Sequence, residues 1–157
     1  MSKMRIEVID RRTFMIGAGT AAAALAGLGL PSLANATPEQ AMDFIEKLTG
    51  GAKPAEGKVK IEMPEIAENG ATVPTKVSAD SPMTDQDYCK SISVISTKNP
   101  YPHICTFHFT PRSGKAWASI RVRMATTQDV YAVAQMSDGK WYITKTTVKV
   151  TIGGCGG

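Results

Sequence analysis

The chain has 157 residues, 43% of them hydrophobic, 20% charged and 6% aromatic, which suits one globular domain of ordinary composition. The formal net charge is +4. Half of it comes from Lys3, Arg5, Arg11 and Arg12 set against Glu7 and Asp10, so residues 37–157 carry only +2. Basic residues form no stripe and do not interleave with aromatics, which argues against nucleic-acid binding.

The N-terminal segment reads as an export signal. Arg11-Arg12-Thr13-Phe14 has the pattern of a twin-arginine leader. A mildly apolar run from Met15 to Leu33 follows, and Ala34-Asn35-Ala36 supplies an A-x-A cleavage site. Five interruptions, Gly17, Gly19, Gly27, Gly29 and Pro31, favour a cleaved leader over a retained membrane anchor. No later stretch is apolar enough to span a bilayer. The expected organisation is a signal peptide over residues 1–36, a folded domain over 37–152 and a terminal arm over 153–157. The expected location is a bacterial periplasm, reached already folded and in company with a partner.

Thr37-Pro38-Glu39-Gln40 predicts a helix start, with Thr37 as N-cap, Pro38 at N1 and Gln40 closing a capping box. Ala41, Phe44, Ile45 and Leu48 form one apolar face, and Gly50-Gly51 end the helix. Residues 50–57 read as a linker. Seven strand-like runs come next: Lys58 to Met63, Ala71 to Val77, Lys90 to Ser96, His103 to Thr110, Trp117 to Met124, Val130 to Met136 and Lys140 to Ile152. The last is long enough for one strand or two short ones. Turn signals separate them, among them Asn69-Gly70, Pro111-Arg112-Ser113-Gly114 and Asp138-Gly139. The pattern predicts an all-β fold, an immunoglobulin-like antiparallel β-sandwich of about seven strands preceded by one short helix.

Catalytic signatures are missing. The chain contains no G-x-S-x-G, H-E-x-x-H, C-x-x-C or dinucleotide-binding glycine motif. His103 and His108 differ by five, which by parity puts them on opposite faces of a strand, so no metal site is expected. Asp85 and Asp87 read as turn residues. Arg112, Lys115, Arg121 and Arg123 read as a solvated face.

Three cysteines in an oxidising compartment leave at least one unpaired or pairing between molecules. The simplest arithmetic joins Cys89 to Cys105 and leaves Cys155 free; two separate buried thiols are the alternative. A turn near residues 99–100 would set Cys105 opposite residue 94 or so. Cys155 lies in Gly153-Gly154-Cys155-Gly156-Gly157. Glycines remove neighbouring side chains and backbone restraint, so the expectation is a flexible arm presenting a thiol, with Val148 to Ile152 as its mount and Gly153 as its hinge. Fully extended, five residues span roughly 17 Å. Such a thiol suits a tethered substrate that successive enzymes visit. Three other uses remain open: a thiol–disulfide redox protein, a carrier loading sulfur on the terminal Gly-Gly carboxylate, and dimerisation through Cys155.

The terminal Val150-Thr151-Ile152-Gly153-Gly154-Cys155-Gly156-Gly157 resembles that of the SoxY family of sulfur carriers in thiosulfate oxidation. Further stretches share the likeness: Glu68 to Pro74, Ser81-Pro82-Met83, Lys98-Asn99-Pro100, Phe107 to Pro111 and Ala125 to Gln128. The resemblance implies a β-sandwich paired with a second β protein, SoxZ, and Cys155 as the point of covalent attachment. It further implies a c-type cytochrome that couples thiosulfate to the thiol, a hydrolase that releases sulfate and a sulfur dehydrogenase that oxidises the remaining sulfur. Haem and metals would belong to those partners, and this chain would bind no cofactor and would be no enzyme itself. Cys89 and Cys105 lie outside the family motif.

Overall fold

The computed structural model describes residues 36–153. Arg11 and Arg12 of the expected leader, and Gly154, Cys155, Gly156 and Gly157 of the arm, lie outside the described residues. Helix α1 spans Pro38–Thr49 and is followed by nine strands: β1 Ala55–Glu56, β2 Val59–Glu62, β3 Ile66–Ala67, β4 Val73–Ala79, β5 Cys89–Ser96, β6 His103–His108, β7 Ala116–Val122, β8 Gln128–Met136 and β9 Trp141–Val150. Seven of these correspond one for one to the strand-like runs in the sequence. β9 is one long strand.

The capping box of α1 forms as its residues dictate. Gln40 N–H donates to Thr37 Oγ1 at 3.3 Å, and Thr37 N–H donates to Gln40 Oε1 at 3.1 Å. Gly50 ends the helix in the left-handed conformation at φ 64°, which costs glycine nothing.

Two sheets make the sandwich. The larger runs β1-β9-β8-β5-β6, with β3 also on β9; the smaller runs β2-β4-β7. The seven longer strands pair antiparallel. β1 and β3 pair parallel to the two ends of β9, at Tyr142–Ile143 and Lys149–Val150. The stretch 50–57, expected to be a plain linker, therefore contains a two-residue strand. Alternation carries no information over two residues, so this pairing had no sequence signal.

The core lies between the sheets. Val59, Val73, Val77, Ala116 and Val122 of the small sheet meet Ile92, Val94, Val130, Ala132, Ala134 and Val148 of the large one. Burying each valine or isoleucine side chain stabilises by roughly 1.5–3 kcal/mol. On the outer face of the large sheet, Ala41 and Ile45 of α1 cover Ile95 and Val133, flanked by Phe44, Leu48, Tyr131, Trp141 and Ile143. A sheet covered on both faces loses simple alternation, and every residue of β5 from Ser91 to Ser96 is buried. On β7, Val122 and the adjoining Met124 are buried while Arg121 and Arg123 are exposed. Among the described residues no helix is long and apolar enough to cross a membrane.

Candidate functional site: the root of the thiol arm

β9 ends at Val150, but hydrogen bonds hold the chain for two more residues. On one side Val150 N–H donates to Thr127 Oγ1 at 2.9 Å. On the other, β3 and the residues flanking it bind in succession. Lys149 N–H donates to the Glu65 carbonyl at 2.9 Å and Thr151 N–H to the Ala67 carbonyl at 3.1 Å. Thr151 Oγ1 donates to the Glu68 carbonyl at 2.9 Å. A free strand edge would leave these groups unpaired; here the last strand is enclosed.

A closed ring of backbone contacts then forms around Gly153. Gly70 N–H donates to the Ile152 carbonyl at 2.7 Å, and Met124 N–H donates to the Gly70 carbonyl at 2.7 Å. The next residue, Ala125, turns its carbonyl oxygen onto Gly153. A β-carbon at position 153 would overlap that oxygen. Glycine is thus required here by close approach of two backbones, whatever conformational freedom it also brings. Asn69 sets the turn that presents Gly70, its Oδ1 accepting from Ala71 N–H at 2.8 Å.

A buried amide pair supports the ring from below. Asn99 Oδ1 accepts from Ala125 N–H at 3.0 Å and from Gln128 Nε2 at 2.8 Å. Asn99 Nδ2 donates to the Arg123 carbonyl at 2.8 Å. Gln128 Oε1 accepts from Lys98 N–H at 2.7 Å. Asn99 and Gln128 are 8% and 3% exposed, and among the described residues every buried side-chain nitrogen and oxygen has a partner. Glu68 to Ala71, Lys98-Asn99 and Ala125 to Gln128 come from three separate stretches of the resemblance. The fold brings all three to the root of the arm, a role the sequence reading did not assign them.

The other two cysteines are placed elsewhere. Cys89 and Cys105 are free thiols; of the two alternatives, the structure has separate thiols and no Cys89–Cys105 disulfide. Cys105 faces Val94, as the turn position implied, while Cys89 faces Met136. Five residues of β5 therefore separate the two thiols along the strand, on the order of 17 Å. A register shift between Cys89 and Ser91 turns Cys89 into the same core as Ile92 and Val94. Burial pushes its pKa up to about 11, and its S–H donates to the Ser91 carbonyl at 3.4 Å. Burial also raises the pKa of Cys105. Cys89 pairs at the Met136 end of β8, eight residues from Gln128 and the arm root, or roughly 27 Å of strand.

The parity argument for the histidines fails for a similar reason. A register shift on β6 makes Ile95 pair with His103 while Ser91 pairs with His108, so both histidines share the outer face of the sheet. His103 stacks on Phe44 of α1 with ring centroids 5.2 Å apart, and its Nε2 lies 2.9 Å from Thr106 Oγ1. Four residues of β5 still separate the two pairings, about 13 Å. No group of three or more potential metal ligands occurs among the described residues. Asp85 and Asp87 lie in a turn closed by Thr84 N–H to the Asp87 carbonyl at 2.9 Å, as expected.

A protein-family model described as "Sulfur oxidation protein SoxY" matches residues 45–155. The chain belongs to the SoxY family. The structure of the sulfur carrier protein SoxY from Chlorobium limicola f. thiosulfatophilum matches with 35% sequence identity and a TM-score of 0.60, covering 74% of this chain and all of that one. A superoxide reductase (neelaredoxin) from Ignicoccus hospitalis shares the fold at 16% identity and a TM-score of 0.54, over 75% of this chain and 95% of that one. One from Nanoarchaeum equitans does so at 10% identity and 0.53, over 62% and 100%. These two reductases show a common sandwich and nothing about chemistry. No curated protein matches the chain. The family match reaches Cys155, so it takes in both the sandwich and the thiol.

Proposed function

We propose that this protein is a covalent sulfur carrier of thiosulfate oxidation, with Cys155 as the attachment point. The observation that carries the proposal is family membership extending over residues 45–155, together with likeness to a sulfur carrier protein at 35% identity. The other thiols support it by elimination. Cys89 is fully buried with its pKa raised to about 11, and Cys105 is half-buried with a raised pKa. Only the thiolate attacks, so neither competes well for a sulfur substrate.

The chemistry asked of the chain is modest. The Cys155 thiolate and thiosulfate lose two electrons to a c-type cytochrome and form a sulfur–sulfur bond, giving the S-thiosulfonate. Water then attacks the sulfonate sulfur under a partner hydrolase, releasing sulfate and leaving the cysteine persulfide. A sulfur dehydrogenase oxidises the remaining sulfur. The carrier holds the load and presents it; the haem and metal cofactors sit in those enzymes. SoxZ is the expected stable partner, and the Arg11-Arg12 leader directs the chain to the periplasm. The arm root supports the reading because it gives the thiol a fixed point of departure from a rigid sheet.

Intact mass spectrometry of the protein from thiosulfate-grown cells tests this. The expected result is a thiol-labile adduct of one sulfur, or of thiosulfate mass, on Cys155, abolished in Cys155→Ser. An adduct that persists in Cys155→Ser, or that maps to the Gly157 carboxylate, would overturn it.

A further inference from the structure

We propose that Asn99 and Gln128 are positioning residues for the thiol arm: through Ala125 they build a seat for Gly153, so the tether carrying Cys155 begins at Gly154. The proposal rests on the carrier reading only for its biological use; the seat itself is a property of this fold.

The ring around Gly153 is closed by a chain of backbone and amide hydrogen bonds. The Ile152 carbonyl is taken by Gly70, the Gly70 carbonyl by Met124, and the Ala125 N–H by Asn99. The Ala125 carbonyl oxygen then lies where a β-carbon of residue 153 would stand. Moving Ala125 would break its bond to Asn99, and moving Asn99 would strand Gln128 Nε2 and the Arg123 carbonyl. An unpaired buried polar group is expensive, so the seat is stiff even though it is made of loops. Thr127, between Ala125 and Gln128, adds a second brace through Val150.

The seat changes the reach of the thiol. From Gly153 to Cys155 the α-carbons can be at most about 7 Å apart, against roughly 10 Å if the tether began at Ile152. A visiting enzyme must therefore bring its cleft down to the rim of the root. That rim consists of Asn69, Thr126 and Ile152, all exposed, with Ile152 an apolar side chain 68% exposed. Loading and unloading enzymes would share this landing zone, because a short tether leaves them no other.

Pulsed dipolar spectroscopy tests the seat without reference to sulfur. The full exported chain carrying Cys105→Ser and Lys115→Cys takes nitroxide labels at positions 115 and 155. Cys89 is buried, and Lys115 precedes β7 at the end remote from the root. The two labels should be roughly 30 Å apart, from the strand rise between residues 115 and 124. Gly153→Ala should unseat the root and lend the label one more residue of tether, about 3.5 Å, so the distance distribution shifts or widens by that order. Asn99→Ala should do the same while thiol alkylation of Cys155 stays at the wild-type rate. Distributions superimposable on wild type in a folded Gly153→Ala chain would overturn the proposal. Should Asn99→Ala fail to fold, Gly153→Ala still decides, because residue 153 is exposed and follows the last strand. A seat seen by this measurement, with no adduct on Cys155 in the mass experiment, would sink the carrier reading and leave the seat standing.

Discussion

Helix α1 and the arm root both rest on the large sheet, and they are held by different forces. Under α1, Ala41 and Ile45 press on Ile95 and Val133, and the attachment is apolar area removed from water. At the root almost nothing apolar is involved. Gly70, Met124, Ala125, Ile152 and Gly153 meet through backbone, and Asn99 with Gln128 supplies the support. Apolar contact is strong but undirected, and side chains of similar volume repack with small loss. Hydrogen bonds contribute less net stability, yet they fix direction and distance. This protein thus places its stability in one region and its geometric precision in another.

Substitutions that strike one region alone sharpen the contrast. The largest expected effect is on the helix side. Ile95→Ala should leave a cavity between α1 and β5 and cost roughly 2–5 kcal/mol in a urea titration, while the labelled Cys155 keeps its wild-type distance distribution. Next comes the root. Asn99→Ala strands buried groups and should cost about 1–3 kcal/mol, yet it should displace the arm where the costlier Ile95→Ala does not. If both variants disturbed the arm in proportion to lost stability, the division of labour would fail.

The smallest effect concerns the core thiol. Burial holds Cys89 protonated, with its pKa raised from 9.0 to about 11. The folded state thus keeps its proton more tightly than the unfolded chain does. The associated stability is fully present below pH 9 and is lost as pH rises toward 11. The urea midpoint should fall across that window, and Cys89→Ala should flatten the Cys89 contribution to the fall. The position of the Cys155 label should not follow it.

Much of this was legible in the residues. Thr37-Pro38-Glu39-Gln40 specified its capping box because every partner lies within three positions. The seven longer strands were legible because alternation persists over four or more residues. Two register shifts were not, since a bulge displaces one residue without a compositional mark. One turned Cys89 into the core; the other put His103 and His108 on the same face. β1 and β3 were hidden because a two-residue strand has no period. At the site, the sequence pointed to Cys155, whose placement lies beyond the described residues, and to Gly153 for its freedom. The seat beneath Gly153 was invisible, because backbone groups of Gly70, Met124 and Ala125 build it, and every residue type has those groups. Asn99 and Gln128 stood in recognised stretches, but their meeting depends on β8 lying beside β5.

Asn99 also has a fourth attachment. Its backbone carbonyl accepts from Ala36 N–H at 2.8 Å, and Ala36 is the residue after which the leader is expected to be cut. Proteolysis there would remove that donor and leave the carbonyl open, without touching the side-chain amide that braces Ala125. The new N-terminus, Thr37, would still face Gln40 Oε1 at the start of α1, now with an ammonium in place of an amide. The expected cleavage at one end of the chain and the proposed seat of the arm at the other would therefore meet at a single asparagine, reached by its main chain in the first case and its side chain in the second.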